Sequence, residues 1–474
     1  MIRLGQLFVT LALFAGSFAR ENPLDTQDQR DLDALAVSLY LQNPFEDIKK
    51  TARDQLVSTA QRYGYEANQS YMTRRLEAAV DELAFNFLQQ AVNGDPAHPK
   101  VYTIFTPPRD RDWSGWSVPG SRAGFDNPDC IYRVIPVSDS YSYAIRGKRT
   151  GVGASDITFS LHNSIITNTI ALVAGKDIVM DHDGSFTITV SSRGSTSPNH
   201  IRSTPTARVL LVRYNMGDWL VETPDELEVK LIGNPPAEET TKDVIIEKAR
   251  ESIQKALPVA NFLLGNMTLS KPVNFLVPPA QTSGVGLATQ ALVFSHYKLR
   301  KNEALMVTVE PGPSAYWSLT AYDPWMVTEK PRDKLVSLND KQAAANRNGS
   351  CTFVLSATDP GVFNWLNATE AGVGMLVVRF QGLPLSGDNV SRIRIWTHVS
   401  KLDDLPSILP SHAMYTTPQQ RAVQMLVRAR GFDRIHSFNG LFSGSLTCQA
   451  ASSVIPSELG AKWMGLVGLS HPQV

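Results

Sequence analysis

Acidic and aromatic residues interleave in one stretch of the second half of the sequence. In order along the chain these residues are Trp317, Asp323, Trp325 and Asp340, and Arg379 comes later in the same region. Carboxyl groups in a partly dry, aromatic-walled cleft can act as general acid and base. Aromatic rings beside carboxylates also suit a saccharide ring or another partly apolar small molecule. The alternative is that the aromatic residues fill a core and the acids are solvated.

We therefore predict that Asp323 and Asp340 are catalytic. Trp317, Trp325 and Arg379 are predicted to bind the substrate. If both aspartates are accessible polar side chains, replacing either one should change the free energy of unfolding by no more than about 1 kcal/mol.

Two arginines occupy matching places in segments that align with each other. Arg213 and Arg379 each end an otherwise apolar strand. A guanidinium at such a place either caps the sheet edge or points into a cavity, where it would need a carboxylate. We expect a structural ion pair with an acidic residue of the same module, and ligand binding is the alternative. Asn199 and Asn364, which also align, are expected to fix turns through their side chains.

Signatures of common enzyme classes are missing from the sequence. There is no Gly-any-Ser-any-Gly elbow, no phosphate loop and no dinucleotide fingerprint. The nine histidines are scattered singly, without the spacing that places two ligands on one strand or helix. This pattern argues against a standard serine hydrolase, a nucleotide enzyme and a Rossmann dehydrogenase. We predict no cofactor and no metal site.

The stretches that must position these residues are copies of each other. Residues 181–191 align without a gap with residues 346–356, and each segment contains an Asp-Gly or Asn-Gly hairpin turn before a strand. Downstream, residues 209–214 align with residues 374–380 if one insertion is allowed. An internal duplication of a β-module is the simplest explanation.

The alignment also makes predictions about single residues. Upstream of the hairpin it places Phe159 on Trp317. It places Cys351 on Phe186, an inward-facing strand position. We therefore expect Cys351 to be a small buried residue rather than a nucleophile.

Periodicity predicts the remaining architecture. Leucines recur every three or four residues from Leu32, and a second apolar stripe contains Leu76, Val80, Leu83 and Phe87, which indicates helices. We predict an α+β fold with two related antiparallel β-sandwich modules, jelly-roll-like in type, an amino-terminal helical segment and a helix between the modules. The predicted boundaries are a signal peptide at 1–19, helices at 20–100, β-module one at 101–235, a helical linker at 236–271, β-module two at 272–405 and a helical or irregular tail at 406–474. Within them, helices are expected at 242–257, ended by Pro258, and at 418–430.

The amino-terminal residues have the layout of a secretory signal peptide. Arg3 precedes an apolar run at 4–15, and small residues end the segment at Ala19. The run is shorter than the roughly 20 residues that a membrane span needs. Five acceptor sequons follow, at Asn68, Asn266, Asn348, Asn367 and Asn389. We predict a secreted, N-glycosylated protein without a membrane span, in which Asn348 is a poor acceptor because it lies in a tight hairpin.

Charge and cysteine content restrict partners and crosslinks. Lysine plus arginine and aspartate plus glutamate each number 45, so the formal net charge is zero and does not favour nucleic acid or an anionic membrane surface. The three cysteines are Cys130, Cys351 and Cys448. Because Cys351 is expected in a core, Cys130 and Cys448 are the predicted disulfide pair.

Several short segments together resemble those of a known family. They are residues 126–129 (Asp-Asn-Pro-Asp) with Tyr132, 143–147, 316–319, 337–342 and 359–366. On these segments the chain resembles the family of domain of unknown function 1214. The resemblance covers about residues 95–405. It implies β-sandwich modules with helical additions, and it implies no reaction. The signal segment and sequons are those expected of a fungal or other eukaryotic member.

Two functions are compatible with the sequence. The first is an extracellular or lumenal enzyme that acts on a saccharide or another small molecule, such as a fungal secondary metabolite, in a pocket of module two. The second is a non-catalytic binding or interaction protein, since β-sandwich modules host both kinds of function. A deep pocket with converging acids would favour the enzyme, and a flat or filled module would favour the binding protein.

Overall fold

The computed structural model describes residues 20–66, 69–109, 117–165, 167–234, 240–281, 287–385, 388–436 and 441–442. The predicted signal segment 1–19, the sequon residue Asn68 and Cys448 lie outside these ranges. Within them the fold is α+β, as the sequence predicts, with amino-terminal helices, two pairs of sheets and a helix between the pairs. None of the described helices is both long and apolar enough to cross a membrane.

The amino-terminal helices form where apolar residues recur every three or four positions. Strand β1 spans Arg20–Glu21, and helices α1, α2 and α3 span Gln27–Tyr40, Glu46–Arg62 and Ser70–Val92. The Thr26 hydroxyl caps α1 by accepting a hydrogen bond from the Gln29 main-chain N–H at 3.1 Å. On α3 the predicted apolar stripe is buried at Leu76, Val80 and Phe87. The helical prediction for this segment is therefore confirmed.

Module one packs two sheets face to face. Its strands are β2 Tyr102–Ile104, β3 Cys130–Pro136, β4 Ser142–Lys148, β5 Asp156–His162, β6 Ala171–Ala174, β7 Ser185–Ser191, β8 His200–Arg202, β9 Val209–Asn215 and β10 Glu226–Ile232. One sheet has the order β2-β3-β9-β5-β6 and the other β10-β4-β7-β8. Inward residues at alternate positions, such as Phe159 and Leu210, form the core between them.

Module two repeats this arrangement strand for strand. Its strands are β11 Ala280–Gln281, β12 Ala291–Lys298, β13 Glu303–Glu310, β14 Tyr316–Tyr322, β15 Ser337–Asn339, β16 Cys351–Ser356, β17 Trp365–Asn367, β18 Val373–Gln381 and β19 Arg394–Lys401. The sheet orders are β11-β12-β18-β14-β15 and β17-β16-β13-β19, so adding nine to each strand number of module one gives module two. The match extends to one parallel pair in each module, β7 with β8 and β16 with β17. The predicted duplication is confirmed.

Strand register shows why the copies differ at the position of Phe186 and Cys351. Phe186 pairs with Gly147, and Cys351 pairs with Val309. A Cβ atom at Gly147 would lie 2.1 Å from the Phe186 ring, so a large residue faces glycine in module one. In module two the equivalent space holds the smaller side chains of Val309 and Cys351. The total volume of the core is thereby kept similar. Cys351 is buried, as predicted.

One part of the sequence alignment is wrong. Arg213 and Arg379 each lie two residues before the end of their strands, β9 and β18. With these arginines equated, the pairing of β9 with β5 and of β18 with β14 equates Phe159 with Leu319 rather than with Trp317. The error is two residues, and a shift of two leaves the same strand face inward. Alternation of apolar residues therefore cannot detect it.

Asn199 and Asn364 fix equivalent turns, as predicted. Asn199 Nδ2 donates to the Val179 carbonyl at 2.7 Å, and its Oδ1 accepts from the Val179 N–H at 2.9 Å. Asn364 makes the same two bonds with Ala344, at 2.7 and 2.8 Å. Each amide thus satisfies both main-chain groups of one residue outside the sheet.

The helix between the modules runs further than the sequence predicts. Helix α4 spans Lys242–Phe262 and continues as a π-helical segment at Leu263–Leu269. The prediction that Pro258 ends the helix is wrong. Proline removes one main-chain hydrogen bond, but Leu257 and Leu264 on either side of it are buried in a core shared with α2 and α3. This packing holds the helix together across the proline.

The tail packs on both modules. Helices α5 and α6 span Leu405–Ile408 and Pro418–His436, and strand β20, Leu441–Phe442, pairs with β1. The helix predicted at 418–430 is confirmed, and it continues to His436. Arg428 lies 4.3 Å from the ring centroid of Trp219 in module one and donates to Ser337 Oγ in module two at 2.7 Å.

Candidate ligand-binding site

Asp323 lies in a buried ion pair. Arg75 of α3 donates to Asp323 Oδ2 from Nε at 2.7 Å, and its Nη2 lies 2.6 Å from the same oxygen. The other oxygen, Oδ1, accepts main-chain hydrogen bonds from Trp325 at 2.8 Å and Val327 at 3.1 Å. Burial raises the pKa of Asp323 to about 6, against the effect of Arg75. Because the side chain is fully buried, the expectation of an accessible aspartate is wrong here.

The two predicted catalytic carboxyl groups are not brought together. Asp323 follows the last residue of β14, whereas the Asp340 N–H donates to the carbonyl of Trp317, near the start of that strand, at 3.0 Å. The two residues are therefore separated by about 20 Å, the length of six strand residues. Paired carboxylates in glycoside hydrolysis lie about 5 to 10 Å apart. A catalytic role for either aspartate alone stays a prediction.

Both predicted tryptophans lie in cores. Trp317 packs against Phe353 inside module two, with ring centroids 5.8 Å apart. Trp325 belongs to the core shared with the amino-terminal helices, and its Nε1 donates to the carbonyl of Met72 at 2.9 Å. Neither side chain lines the cavity described below, so of the predicted substrate-binding residues only Arg379 does.

Arg213 and Arg379 are buried, and neither lies within ion-pair distance of a carboxylate in the part of the chain that the structure describes. They are 9% and 5% exposed. Arg213 Nη1 donates to Ser160 Oγ at 3.2 Å. Arg379 Nη1 donates to Tyr322 Oη at 2.6 Å, and its Nη2 donates to the carbonyl of Phe125. The expected ion pair is found for neither arginine among the described residues.

Both arginines line one cavity between the modules. The cavity has a volume of about 200 Å³. Its walls come from both modules, from α3 and from α4 with its π-helical continuation; they include Phe105, Phe125, Tyr132, Leu211, Leu263, Gln290, Leu292, Phe294 and Gln381. Gly124, also in the lining, is exposed, so the cavity reaches solvent there.

Strained backbone surrounds this cavity. Phe105 has φ 60° and Phe125 has φ 69°, a left-handed conformation that is unusual for bulky residues. Phe125 is held by its N–H, which donates to the Met326 carbonyl at 2.8 Å, and by its own carbonyl, which accepts from Arg379. Such strain persists only where the surroundings enforce it, and it clusters at ligand sites.

The two arginines bring positive charge to the cavity. Burial lowers the pKa of Arg213, and Asp156 opposes this shift without reaching ion-pair distance in the described structure; an approaching anion would further stabilise the charged form of Arg213. Burial and the charge of Arg213 together lower the pKa of His162 to about 4, so this histidine adds no charge at neutral pH. The lining carboxyl group is that of Asp126, whose oxygens accept from the Thr328 N–H at 2.9 Å and from the Thr328 hydroxyl.

Residues of module one were missed by the sequence reasoning. The predicted site lies within module two. The cavity is also lined by Phe125, Asp126 and Tyr132, which come from module one and its amino-terminal loop. A signal for them existed, because the family-like segment at 126–129 and Tyr132 lie in and beside the cavity wall. The segment could have been included in the candidate site on that ground.

The other predicted sites have mixed outcomes. Of the sequon residues, Asn266 and Asn348 are exposed, whereas Asn367 and Asn389 are half-buried. Cys130 is buried, and its pairing with Cys448 stays a prediction because Cys448 lies outside the described residues. In the described ranges, no group of three or more histidine, cysteine, aspartate and glutamate side chains is placed to hold a metal ion.

Residues 295–384 match the family described as "Protein of unknown function (DUF1214)". This domain lies within module two, so the match is narrower than the range of the resemblance. No curated protein matches the chain.

Two solved structures resemble the fold. An uncharacterized protein from Burkholderia cenocepacia is 22% identical, with a TM-score of 0.65, and the alignment covers 79% of this chain and 100% of that one. The VPA0106 protein from Vibrio parahaemolyticus is 11% identical with a TM-score of 0.36, over 57% of this chain and 90% of that one. At these identities the first likeness shows a shared fold and says nothing of function.

Proposed function

We propose that the protein binds a small, partly apolar molecule in the cavity between its modules. The observation that carries this proposal is that two arginines at equivalent registers of the duplicated strands are both buried, lack an ion pair among the described residues, and line the same cavity. A buried charge without a counter-charge is costly. A ligand that supplies the missing interaction would offset this cost.

The size and walls of the cavity set the scale of the ligand. A cavity of about 150 Å³ lined by apolar side chains holds one benzene molecule, so by the same ratio 200 Å³ accommodates roughly eight non-hydrogen atoms. Phe105, Phe125, Phe294, Leu263 and Leu292 supply apolar walls. Such walls favour a flat or branched apolar body over a fully hydroxylated saccharide.

Reversible binding is favoured over catalysis. Catalysis by a pair of carboxyl groups would need both at the ligand, but among the described lining residues the carboxyl group is that of Asp126, and both its oxygens accept from Thr328. The predicted acids Asp323 and Asp340 lie outside the lining. An enzyme acting in module two is the alternative, and turnover of a probe by the parent protein but not by Asp340→Asn would favour it.

Filling the cavity should abolish binding. Ala260 lies on the cavity side of α4, and Ala260→Trp would place an indole in the space. We expect 3-phenylpropanoate, hexanoate, indole or cyclohexanol to show saturation transfer from the parent protein in ligand-observed NMR, and this signal to be lost in the variant. Glu247→Trp, at an exposed position of the same helix, is the control and should bind as the parent does. Binding that survives Ala260→Trp, or no binding of any probe to the parent, would contradict the proposal.

We also propose that the protein is a secreted eukaryotic glycoprotein of the fungal type. The signal-like segment at 1–19 and the five sequons support this. The exposure of Asn266 leaves its side chain open to a glycan.

Expression in a eukaryotic secretory host tests this compartment. We expect the mature chain to begin at Arg20 and to shift in gel mobility after glycosidase treatment. Asn266→Gln should remove one glycan, whereas Asn348→Gln should remove little, because Asn348 lies in the tight turn before Gly349. An intact amino terminus with no mobility shift would refute secretion.

A further inference from the structure

We infer that the ligand of the inter-module cavity is a small monocarboxylic acid whose carboxylate lies between Arg213 and Arg379. This inference rests on the proposed function, and it adds the chemical class of the ligand. It depends on the donors that the two arginines leave unused, on a phenol on which both arginines act and on the apolar walls.

Each arginine has donors to spare. A guanidinium carries five N–H groups. Among the described residues, Arg213 uses one of these on Ser160, and Arg379 uses two, on Tyr322 and the Phe125 carbonyl. The remaining donors of two planar guanidinium groups match the two oxygens of one carboxylate.

Arg379 is held in a fixed orientation. Tyr322 Oη accepts from Arg379 Nη1 at 2.6 Å and donates to the carbonyl of Asp126 at 2.7 Å. The Phe125 carbonyl, in the strained loop, accepts from Nη2. A guanidinium oriented in advance loses little side-chain entropy when a ligand binds.

Tyr132 adds a neutral donor near both arginines. It lines the cavity, and the charges of Arg379 and Arg213 both act on its hydroxyl. Burial nevertheless keeps the pKa of Tyr132 well above its ordinary value, so the phenol stays protonated at neutral pH. A protonated phenol has one hydrogen-bond donor. The Tyr132 phenol contacts the Cys130 side chain and would turn to the carboxylate when the ligand binds.

The walls limit the charge and shape of the acid. Most of the lining away from the arginines is apolar, including Phe105, Phe294 and Leu292. A carboxylate carries one charge, and it costs less to transfer into such a cavity than a phosphate dianion does. The rest of the ligand should be an aromatic or aliphatic body of the size given above.

Matched acids and amides test the class of ligand. The probes are benzoate, hexanoate and 3-phenylpropanoate, each compared with its primary amide by isothermal titration calorimetry on the full chain. We expect at least one acid to bind the parent at least tenfold more tightly than its amide. Arg213→Gln and Arg379→Gln should each remove this preference, and Arg146→Gln, which removes an exposed charge on β4, should retain it.

The outcomes separate this inference from the proposed function. If acids and amides bind equally and Ala260→Trp blocks both, the cavity is a ligand site but the assignment of its ligand as an acid is overturned. Acid preference that persists in Arg213→Gln would also overturn it, because the acid would then bind elsewhere. If no probe binds the parent, both proposals fail. Circular dichroism checks folding, and if Arg379→Gln does not fold, Arg213→Gln decides the test, since Arg213 makes fewer contacts with the fold.

Discussion

Asp129 is a carboxyl group that the fold buries where the modules meet. Tyr316 of module two donates to its Oδ2 at 2.6 Å, and the Asp129 side chain is fully buried. Burial raises the pKa of Asp129 to about 6, and the hydrogen bond from Tyr316 opposes this shift. The folded protein therefore binds a proton here more tightly than the unfolded chain does.

Asp129 should make the stability fall as the pH rises. Between the ordinary pKa of about 4 and the folded value of about 6, the folded state holds more protons than the unfolded state, so the free energy of unfolding decreases with pH. This contribution is fully present below pH 4 and is lost as the pH passes 6. Asp129→Asn should lack this contribution. From pH 4 to pH 7 the free energy of unfolding of the variant should therefore increase, relative to that of the parent, by on the order of 2 kcal/mol.

Urea unfolding of both proteins at the two pH values measures this difference. Asp177→Asn, which removes an exposed carboxyl group, is the matched control and should follow the parent. A constant difference between Asp129→Asn and the parent would show that Asp129 titrates alike in the folded and unfolded states.

Helices and strands were predictable where the local sequence pattern determines them. Apolar periodicity indicated α3 and α6, and the repeated Asn-Gly and Asp-Gly turns indicated the strands after Gly184 and Gly349. The repeat even identified Arg213 and Arg379 as a related pair. Errors arose where tertiary packing decides, as at Pro258, where burial of the flanking leucines outweighs the loss of one hydrogen bond.

The candidate site could not be assembled from local patterns. Asp323 looked like an accessible acid among aromatic residues, but Arg75 pairs with it from 248 positions away in the sequence. The Phe125 carbonyl that orients Arg379 is 254 positions away from it. No periodicity in either segment encodes such a contact, because it forms only when the helices and both modules pack together.

At the scale of the whole molecule, duplication explains where the cavity lies. The cores of the two sandwiches consist mostly of their own inward residues, and Phe432 and Ile435 of α6 add to the core of module one. The outward faces of β9 and β18 carry the two arginines and, with α3 and α4, enclose the space between the modules. The site therefore belongs to the junction and not to module two alone.

A crystal structure of the full chain soaked with 3-phenylpropanoate tests the central claim most directly. The account predicts electron density for the ligand in the cavity, with its carboxylate within hydrogen-bond distance of both Arg213 and Arg379 and its ring against Phe125 and Phe294. An empty cavity at a ligand concentration that saturates binding in solution, or density found only on the outer surface, would contradict it.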